Sequence, residues 1–302
     1  MSWEKNLDRK ISEYLPDLTW LHDEPLAKRT SFRIGGPVKR MALPKTTEEL
    51  VVLDGFLQEE GVRTILLGNG TNVLFPDEGL DAVVVSTGQM ARIERDGDSL
   101  TAEAGVSLAR LAVIACQESL AGLEFAHGIP GSLGGGVVMN AGAYDGSLSD
   151  VITEVTALFR DGVRRIPAQE LHFSYRHSLF TEQSEAMVLR ARLQLRPGAS
   201  SEIRRRMEEL MTRRKMSQPL EYPSAGSTFK RPVGYFAGRL IEDAGMKGAR
   251  IGGAEVSNKH AGFVINTGNA TCADVLALIE KIQKTVMETS GVMLEPEIRI
   301  IR

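Results

Sequence analysis

The sequence is short of cysteine, of long apolar runs and of excess positive charge, and each shortage excludes a class of protein. Only Cys116 and Cys272 occur among its 302 residues, which excludes a disulfide-stabilised secreted scaffold. The longest obvious apolar run, residues 111–116, is far below the roughly 18 residues that a membrane span needs. The net charge of −3, with no strongly basic half, leaves no electrostatic footprint for nucleic acid.

Neither metal chemistry nor export is indicated by the polar residues that remain. None of the five histidines falls in an H-E-x-x-H pattern, and neither cysteine has a neighbouring Cys or His. The first twenty residues are charged and place Leu7, Ile11 and Leu15 at helical spacing, which predicts a helix and not a signal peptide. We therefore expect a cytoplasmic protein with no metal, no nucleic-acid partner, no membrane insertion and no obligatory protein partner.

The composition itself is that of an ordinary globular protein, with 42% hydrophobic and 25% charged residues. A chain of this length predicts two or three domains. Helices and strands alternate at first: a capping box at Thr46–Glu49 opens a helix that stops at Gly61. Short buried strands are predicted over residues 64–67 and 82–85.

The pattern changes to antiparallel hairpins from about residue 90. Asp96-Gly97 and Asp161-Gly162 each join runs with alternating polarity, a strong hairpin signal. A helix capped by Ser107 interrupts them, and an alternating run over residues 186–195 closes this part. The fold class predicted is α+β.

The last third begins after residues 197–201, whose Pro-Gly-Ala-Ser-Ser composition is that of a linker. A capping box formed by Thr271 and Asp274 then opens a final helix with an apolar stripe. A strand is predicted over residues 297–301.

A first glycine loop, formed by Gly68, Asn69, Gly70, Thr71 and Asn72, directly follows a predicted strand. Glycine permits positive φ and lets successive backbone N–H groups point at one anion. The loop lacks the third glycine of the dinucleotide-binding fingerprint, and a proline soon after it spoils the helix that the fingerprint requires. An anion cradle and a tight surface turn are both open.

A second glycine loop is denser, with six glycines within fifteen residues: Gly128, Gly131, Gly134, Gly135, Gly136 and Gly142. Glycine loses more backbone entropy on folding than any other residue, so such a run is unfavourable unless something must approach the backbone closely. A flexible linker is the alternative, but the residues between the glycines are too apolar for one. We interpret the loop as a contact for a cofactor diphosphate.

Three polar segments outside these loops carry reactive side chains. Arg176 has a planar guanidinium that can bind a carboxylate or phosphate in a bidentate manner, although a surface ion pair is its commoner role. Residues 224–232 surround hydroxyl groups and two cations with small residues, as ligand-binding loops and solvated loops both do. Glu297 stands in an otherwise apolar strand, either at the surface or buried with a partner.

Together these motifs resemble the UDP-N-acetylenolpyruvoylglucosamine reductase family, flavoenzymes that make UDP-N-acetylmuramate. The matching stretches follow the family order across nearly the whole chain: residues 30–36, 68–72, 128–142, 174–178, 226–232 and 294–297. Six ordered motifs make the match specific, whereas any one of them alone would not.

The resemblance implies a two-part FAD-binding domain of the vanillyl-alcohol-oxidase (PCMH) type and a C-terminal α+β substrate domain. On this basis we expect the first FAD-binding subdomain over residues 1–87, the second over 88–198 and the substrate domain over 199–291. Residues 292–302 would return to the first subdomain. The resemblance also implies non-covalent FAD, NADPH as co-substrate and a UDP-sugar as substrate.

The family's catalytic positions fall on Arg176, Ser227 and Glu297. Its cofactor contacts fall on Gly68, Asn69, Gly70, Thr71, Asn72, Gly128, Ile129, Pro130, Gly131, Ser132, Asn140 and Gly142. The expected substrate contacts are Tyr175, Tyr222, Lys230, Arg231 and His260, with the two cations on the diphosphate. The short spacer after residue 195 is typical of the shorter branch of the family, which lacks an inserted tyrosine that closes over substrate.

The implied chemistry calls for these residue types. Hydride from N5 of FAD, reduced by NADPH, reaches the methylene carbon of the enolpyruvyl group, and negative charge develops on the substrate carboxylate. A cationic Arg176 and a protonated Glu297 would stabilise that charge. Ser227 would then protonate the adjacent carbon.

Two other functions stay open at this level. A sugar or alcohol oxidase on the same fold often carries a histidine in the first glycine loop for a covalent flavin link, where this chain has Asn69 and Thr71. A non-catalytic flavin-binding module would leave Arg176, Ser227 and Glu297 without a common purpose.

Overall fold

The computed structural model describes residues 2–302 and divides the chain into two compact units. Unit 1 consists of the chain up to Asp23, Lys39–Asn69 and Asp81–Thr212. Unit 2 consists of Glu24–Val38, Gly70–Leu80 and Arg213–Arg302. The chain passes from one unit to the other inside the first glycine loop.

The helices and strands alternate along most of the chain. The helices are α1 (Trp3–Tyr14), α2 (Thr47–Glu60), α3 (Leu108–Gln117), α4 (Leu133–Val138), α5 (Leu179–Glu182), α6 (Ser200–Ser217), α7 (Ala237–Asp243) and α8 (Cys272–Ser290). The strands as far as the first hairpin are β1 (Thr19–Pro25), β2 (Pro37–Leu43), β3 (Thr64–Leu67), β4 (Val73–Leu74), β5 (Leu80–Ser86), β6 (Ile93–Asp96) and β7 (Ser99–Glu103). The later strands are β8 (Leu120–Ala121), β9 (Gly142–Ala143), β10 (Gly146–Ser147), β11 (Ile152–Phe159), β12 (Gly162–Pro167), β13 (Met187–Gln194), β14 (Arg196–Pro197), β15 (Arg250–Ile251), β16 (Ala254–Val256), β17 (Val264–Asn266) and β18 (Arg299–Ile300).

A four-stranded sheet with the order β1-β2-β5-β3 lies mostly in unit 1. Strands β3 and β5, both predicted, run parallel. Helix α2 buries Leu50, Leu53 and Leu57 in the same apolar cluster as Val83 and Val85 of β5. Their spacing of three and four residues places the three leucines on one face of the helix, which is why the helix packs there.

Helix starts follow the capping signals of the sequence, with one difference. Thr271 and Asp274 form the complete predicted capping box of α8. At α2 the Thr46 hydroxyl accepts a hydrogen bond from the N–H of Glu49, but the Glu49 carboxylate accepts from the N–H of Lys45. The capping box predicted at α2 is therefore only half formed, because a neighbouring backbone donor takes the carboxylate.

A five-stranded antiparallel sheet with the order β12-β11-β13-β7-β6 forms the rest of unit 1. Both predicted hairpins are present: Asp96 pairs with Ser99, and Phe159 pairs with Gly162. Helices α3 and α4 share an apolar cluster with this sheet. A sheet that contains a parallel pair and a separate antiparallel sheet, each packed against helices, confirm the α+β class.

Residues 197–201 form ordered structure instead of the linker that their composition suggests. Pro197 pairs with Leu120 at the end of β14, and Ser200 begins α6. The first eleven residues of α6 bury three apolar side chains in the core of unit 1. The limit between the units falls after Thr212, inside this helix. Burial of those side chains outweighs the local loop tendency. The predicted three-part division of the domains stays a prediction.

Unit 2 contains the antiparallel sheet β15-β16-β17 together with α7 and α8. The apolar stripe predicted for α8 is buried, with Val275, Leu278 and Ile282 in the core. Arg299 pairs in parallel with Val73, so β18 and β4 form a small separate sheet. The predicted last strand is confirmed, in a shorter form.

Among residues 2–302 both cysteines are buried free thiols. Burial, helped by the charges of Asp77 and Glu78, raises the pKa of the Cys272 thiol to about 11. In this described part of the chain no helix is long and apolar enough to cross a membrane. No group of three or more His, Cys, Asp or Glu side chains within it is placed to hold a metal ion.

Candidate active site

In unit 1 the first glycine loop begins directly after β3 and touches the second glycine loop. A Cβ on Gly68 would overlap the Oγ of Ser132, so only glycine fits there. The side-chain amide of Asn69 donates a hydrogen bond to the carbonyl oxygen of Pro130, at 3.0 Å. The structure thus brings together two loops that lie 61 positions apart in the sequence.

The second glycine loop is held in place by a backbone hydrogen bond from helix α3 and by a helix cap. The carbonyl oxygen of Gly131 accepts a hydrogen bond from the N–H of Leu108 at 3.0 Å. Ser132 is 1% exposed and caps α4 by accepting from the N–H of Gly135. The preceding residues are half-buried or exposed: Gly128, Ile129 and Pro130. The loop is therefore ordered but still accessible along one edge.

Part of the glycine density serves packing within the protein itself. A Cβ on Gly134 would lie 2.9 Å from the Cβ of Ala104, and one on Gly136 would lie 2.8 Å from the Cδ1 of Leu148. At these two positions the group that approaches the glycine backbone closely is a side chain from the core of unit 1 and not a cofactor. Gly135 is different, because its nearest neighbour would be the Ser132 Oγ at 3.5 Å, an ordinary contact.

We expect Gly134→Ala to lower the free energy of unfolding by about 1–3 kcal/mol, because the added methyl group overlaps a Cβ fixed to the backbone. Gly135→Ala in the same helix is the matched control and should be neutral or stabilising by up to about 1 kcal/mol. Urea unfolding of the two variants measures both effects. Equal stabilities would show that the crowding at Gly134 is relieved without cost.

Arg176 lies in a tight turn in which Ser174 and His177 exchange backbone hydrogen bonds of 3.2 Å. Its φ of 55° is in the left-handed region, which costs a residue other than glycine about 1–3 kcal/mol. Its Nη2 donates a hydrogen bond to the carbonyl oxygen of Gly142 at 3.3 Å, and its guanidinium lies 5.2 Å from the ring centroid of Tyr175. Backbone strain that the surrounding structure maintains is common at functional sites.

Two buried side chains fix this turn. Asn140, 7% exposed, donates hydrogen bonds to the carbonyl oxygen of Ser174 and to the Oγ of Ser149, and its Oδ1 accepts from the N–H of Ser149. The fully buried Ser178 donates to the carbonyl oxygen of Val138 at 2.8 Å. The Asn140 side chain therefore positions the Arg176 turn, and its expected contact with a cofactor stays a prediction.

A ring nitrogen beside the second glycine loop has no partner in the protein. The Nδ1 of His127 is buried and makes no hydrogen bond, and this residue directly precedes Gly128. A buried polar atom left without a partner costs about 1–3 kcal/mol, so such an atom in a folded protein points to a missing group. The loops therefore fit a polar cofactor. No sequence pattern points to His127, because burial without a partner is a property of the fold.

In unit 2 the rest of the first glycine loop packs on the segment before it. Gly70 has a φ of 63°, and a Cβ there would overlap the carbonyl oxygen of Arg29. Its own carbonyl oxygen accepts a hydrogen bond from the N–H of Ser31 at 3.0 Å. Thr71 and Asn72 are half-buried. The glycine is thus required both by conformation and by close approach.

Ser227 directly follows Gly226, which has a left-handed backbone conformation that favours glycine. Gly226 has a φ of 78°, and nothing lies within 4 Å of the Cβ that it lacks. The next residue, Thr228, is fully buried: its N–H donates to the carbonyl oxygen of Gly262 at 2.8 Å, and its Oγ1 accepts from the N–H of Val264 at 2.9 Å. These bonds hold the half-buried Ser227 in a defined place.

Glu297 lies next to this segment because the two stretches pair through their backbones. The N–H of Glu297 donates to the carbonyl oxygen of Thr228, and that of Lys230 to Glu295, each at 2.8 Å. The Nδ2 of Asn72 donates to the carbonyl oxygen of Glu297 at 3.1 Å. Within unit 2 the structure therefore joins two of the predicted catalytic segments and the first glycine loop.

The predicted substrate contacts differ in their surroundings. Tyr175 in unit 1 and Tyr222 in unit 2 are exposed, by 55% and 45%. The ammonium group of Lys230 is paired with the carboxylate of Glu295. Arg231 donates from Nε to the carbonyl oxygen of Tyr235 at 3.3 Å. Contacts within unit 2 thus set the orientation of both cations, and the Glu295 carboxylate offsets the charge of Lys230.

His260 has a packing role. Its Nδ1 accepts a hydrogen bond from the N–H of Gly262 at 3.1 Å, and its ring meets the edge of Phe263 at a centroid distance of 5.0 Å. A Cβ on Gly238 would lie 3.0 Å from its Cε1. Burial lowers the pKa of His260 and so favours the neutral imidazole. Its expected contact with substrate stays a prediction.

Comparison with known proteins adds two family matches. Residues 218–301 match the C-terminal domain of UDP-N-acetylenolpyruvoylglucosamine reductase, and residues 38–166 match an FAD binding domain. A UDP-N-acetylenolpyruvoylglucosamine reductase of Caldanaerobacter subterraneus subsp. tengcongensis is 50% identical over 293 residues, 97% of either chain. One of Syntrophomonas wolfei is 45% identical over 294 residues, 97% of this chain and 98% of its own.

Solved structures agree with these matches. The crystal structure of UDP-N-acetylenolpyruvylglucosamine reductase from Thermus caldophilus has a TM-score of 0.80 at 34% identity and covers 94% of this chain and 99% of its own. An alkyldihydroxyacetonephosphate synthase, with a TM-score of 0.50 at 18% identity, covers 64% of this chain and 44% of its own. The latter shows a shared fold alone.

Proposed function

Because the chain belongs to the UDP-N-acetylenolpyruvoylglucosamine reductase family, we propose that Arg176, Ser227 and Glu297 carry out the catalysis of that family's reaction here. The enzyme is an FAD-containing oxidoreductase that reduces the enolpyruvyl double bond of UDP-N-acetylglucosamine enolpyruvate to give UDP-N-acetylmuramate, a peptidoglycan precursor. NADPH is the reductant. The observation that carries the assignment of activity is the 50% identity over 97% of the chain.

Bound FAD supplies the hydride for this reaction. We assign its binding to the two glycine loops, and three observations of unit 1 support the assignment. Asn69 links the first loop to Pro130, Gly68 permits the close contact with Ser132, and the Nδ1 of His127 is buried without a partner. Free backbone N–H groups in such loops are suited to a diphosphate.

Ser227 is the proposed proton donor. Once hydride has reached the methylene carbon, the neighbouring carbon carries carbanion character and is a strong base. A serine hydroxyl is a weak acid, so correct position must contribute much of its effect. The buried hydrogen bonds of Thr228 and the left-handed turn at Gly226 support this role, because they fix the backbone on both sides of Ser227.

Arg176 and Glu297 are the proposed groups that stabilise charge on the substrate carboxylate. A fixed guanidinium offers two parallel donors to a carboxylate. Glu297 would serve as a hydrogen-bond donor in its protonated form, since a carboxyl beside another carboxylate tends to keep its proton. The strained and anchored turn of Arg176 supports a role that depends on orientation.

The other assignments concern the diphosphate of the substrate and the cellular location. Lys230 and Arg231 are proposed for the UDP diphosphate because both are held at the surface of unit 2 next to the Ser227 segment. A cytoplasmic location is proposed because both thiols are free. The oxidase alternative is not favoured, since the full-length relatives are reductases.

The first test is spectroscopic. We expect the purified protein to be yellow and to release FAD into the supernatant on acid or heat denaturation, because the first glycine loop holds Asn69 and Thr71 where covalent flavoenzymes often have histidine. NADPH should bleach the flavin absorbance, and UDP-N-acetylglucosamine enolpyruvate should restore it. Colour that stays with the precipitate would disprove non-covalent binding, and a flavin that substrate fails to reoxidise would disprove the proposed reaction.

A further inference from the structure

Unit 2 exposes three neighbouring apolar side chains in a turn just after Arg231. Val233 is 99% exposed, Phe236 61% and Tyr235 48%. Aromatic residues make up only 6% of the chain. Two adjacent aromatic side chains that are both exposed to solvent are therefore uncommon in this protein. Exposed apolar groups clustered in this way commonly mark a binding surface.

The turn holds these rings in a fixed arrangement. The N–H of Tyr235 donates to the carbonyl oxygen of Pro232 at 3.1 Å, and Gly234 has a φ of 78°. These are the features of a type II β-turn, which requires a left-handed residue at its third position. The Nε of Arg231 bonds to the carbonyl oxygen of Tyr235. The rings therefore sit on a closed turn and not on a flexible loop.

The ends of this loop meet beside the Ser227 segment. At its start, the N–H of Thr228 donates to the carbonyl oxygen of Gly262 at 2.8 Å. At its end, a Cβ on Gly238 would lie 3.3 Å from the backbone nitrogen of the same Gly262 and 3.0 Å from the ring of His260. His260 therefore packs at the point where the two ends of this loop meet.

The turn offers a nucleotide two matching surfaces side by side. The guanidinium carbon of Arg231 lies 3.9 Å from the ring centroid of Phe236, a stacked geometry that orients its N–H groups for phosphate. The exposed rings of Phe236 and Tyr235 are suited to stacking against a flat nucleobase. Phosphate and base are adjoining parts of a nucleoside diphosphate.

We propose that Tyr235 and Phe236 form an aromatic platform that binds the uracil base of the substrate, with Arg231 on the adjoining diphosphate. The platform rests on the proposed function, since that function makes a UDP-sugar the substrate. Ser227 directly precedes this loop and the platform lies within it, so one segment of the chain would serve both the reacting end and the nucleoside end of the substrate.

The test is titration calorimetry of the FAD-loaded enzyme with UDP and, separately, with inorganic pyrophosphate. Phe236→Ala and Tyr235→Ala should each raise the Kd for UDP by about 5- to 150-fold, the range for loss of one base–ring stack. The Kd for pyrophosphate should stay unchanged in Tyr235→Ala. In Phe236→Ala it should rise less than the Kd for UDP, because this variant also removes the ring that stacks on Arg231. Val233→Ala, in the same turn and more exposed, is the matched control, and Phe236→Tyr should keep the affinity of the wild type.

Kinetics give a second readout: the KM for the UDP-sugar should rise in the alanine variants while kcat and flavin reduction by NADPH stay the same. An unchanged Kd for UDP would overturn the platform. Equal weakening of UDP and pyrophosphate would overturn it in favour of a role in orienting Arg231. If the variants weakened binding of NADPH but not of UDP, the rings would bind the adenine base of NADPH. If the variants bound UDP normally but a dimer of the wild type were lost in analytical sedimentation, the rings would contact a second copy of the chain.

These outcomes are separable from the proposed function. A wild-type enzyme that binds UDP through the rings but fails to turn over the enolpyruvyl substrate would retain the platform and disprove the reaction. A wild-type enzyme that turns over, with UDP affinity independent of both rings, would disprove the platform alone.

Discussion

Ser227→Ala is expected to slow flavin reoxidation by substrate by a factor of about 10²–10⁴ or more, while flavin reduction by NADPH keeps nearly its wild-type rate. The factor is that of a lost general acid. It applies to one half-reaction only, because the proton is needed after hydride has reached the enolpyruvyl group. Ser227→Cys should retain part of the activity, since a thiol is a stronger acid at a similar position.

Stopped-flow absorbance measures each half-reaction separately. Ser224→Ala, three positions earlier in the same polar segment, is the matched control and should leave both rates close to those of the wild type. The position of Ser227 depends on backbone bonds at Thr228, so removal of its hydroxyl should not disturb the segment. If the alanine variant slows both half-reactions equally, Ser227 holds the site together and is not the proton donor.

Arg176→Ala and Glu297→Ala are each expected to slow reoxidation by about 10²–10³, the effect of losing one preorganised donor to a developing negative charge. The double variant should lose less than the product of the two factors, because residues that act on the same charge are not additive. Exposed residues of the same types, Arg165 and Glu288, provide alanine controls without effect.

The coupling between Arg176 and Glu297 is measured from the single-turnover rate of flavin reoxidation in the wild type, the two single variants and the double variant. A double variant that loses the full product of the single effects would show that the two residues act independently. A wild-type rate in either single variant would remove that residue from the catalytic site.

Local signals in the sequence predicted local structure well. The capping box at Thr271 and the hairpins at Asp96 and Asp161 form as expected, because each depends on contacts within a few residues. The glycine-rich composition also identified loops where close approach occurs. At Gly134, however, the close partner is Ala104, thirty positions earlier, and spacing along the chain carries no information about such a partner.

The same limit explains what sequence reasoning missed in the site. His260 is expected from the sequence to contact the substrate, but its hydrogen bond to Gly262 and its contact with Gly238 arise only when unit 2 folds. Residues 197–201 look like a linker by composition, yet the helix that follows is anchored by burial of its apolar face. Burial and distant pairing decided both cases, and neither is encoded in a short window of sequence.

The pairing of β4 with β18 has a consequence for how the protein is made on the ribosome. Asn72 and Glu297, which are joined by a hydrogen bond, are separated by 225 positions. At about 5–20 residues per second, translation needs roughly 10–45 s to pass from one to the other. All segments of unit 1 have been synthesised once the ribosome has passed Thr212. Phe32 and Leu74 belong to the core of unit 2 and stay uncovered until the later residues of that core have been synthesised. Nascent chains paused in this interval would expose apolar surface and are the form in which we expect chaperones to bind this enzyme.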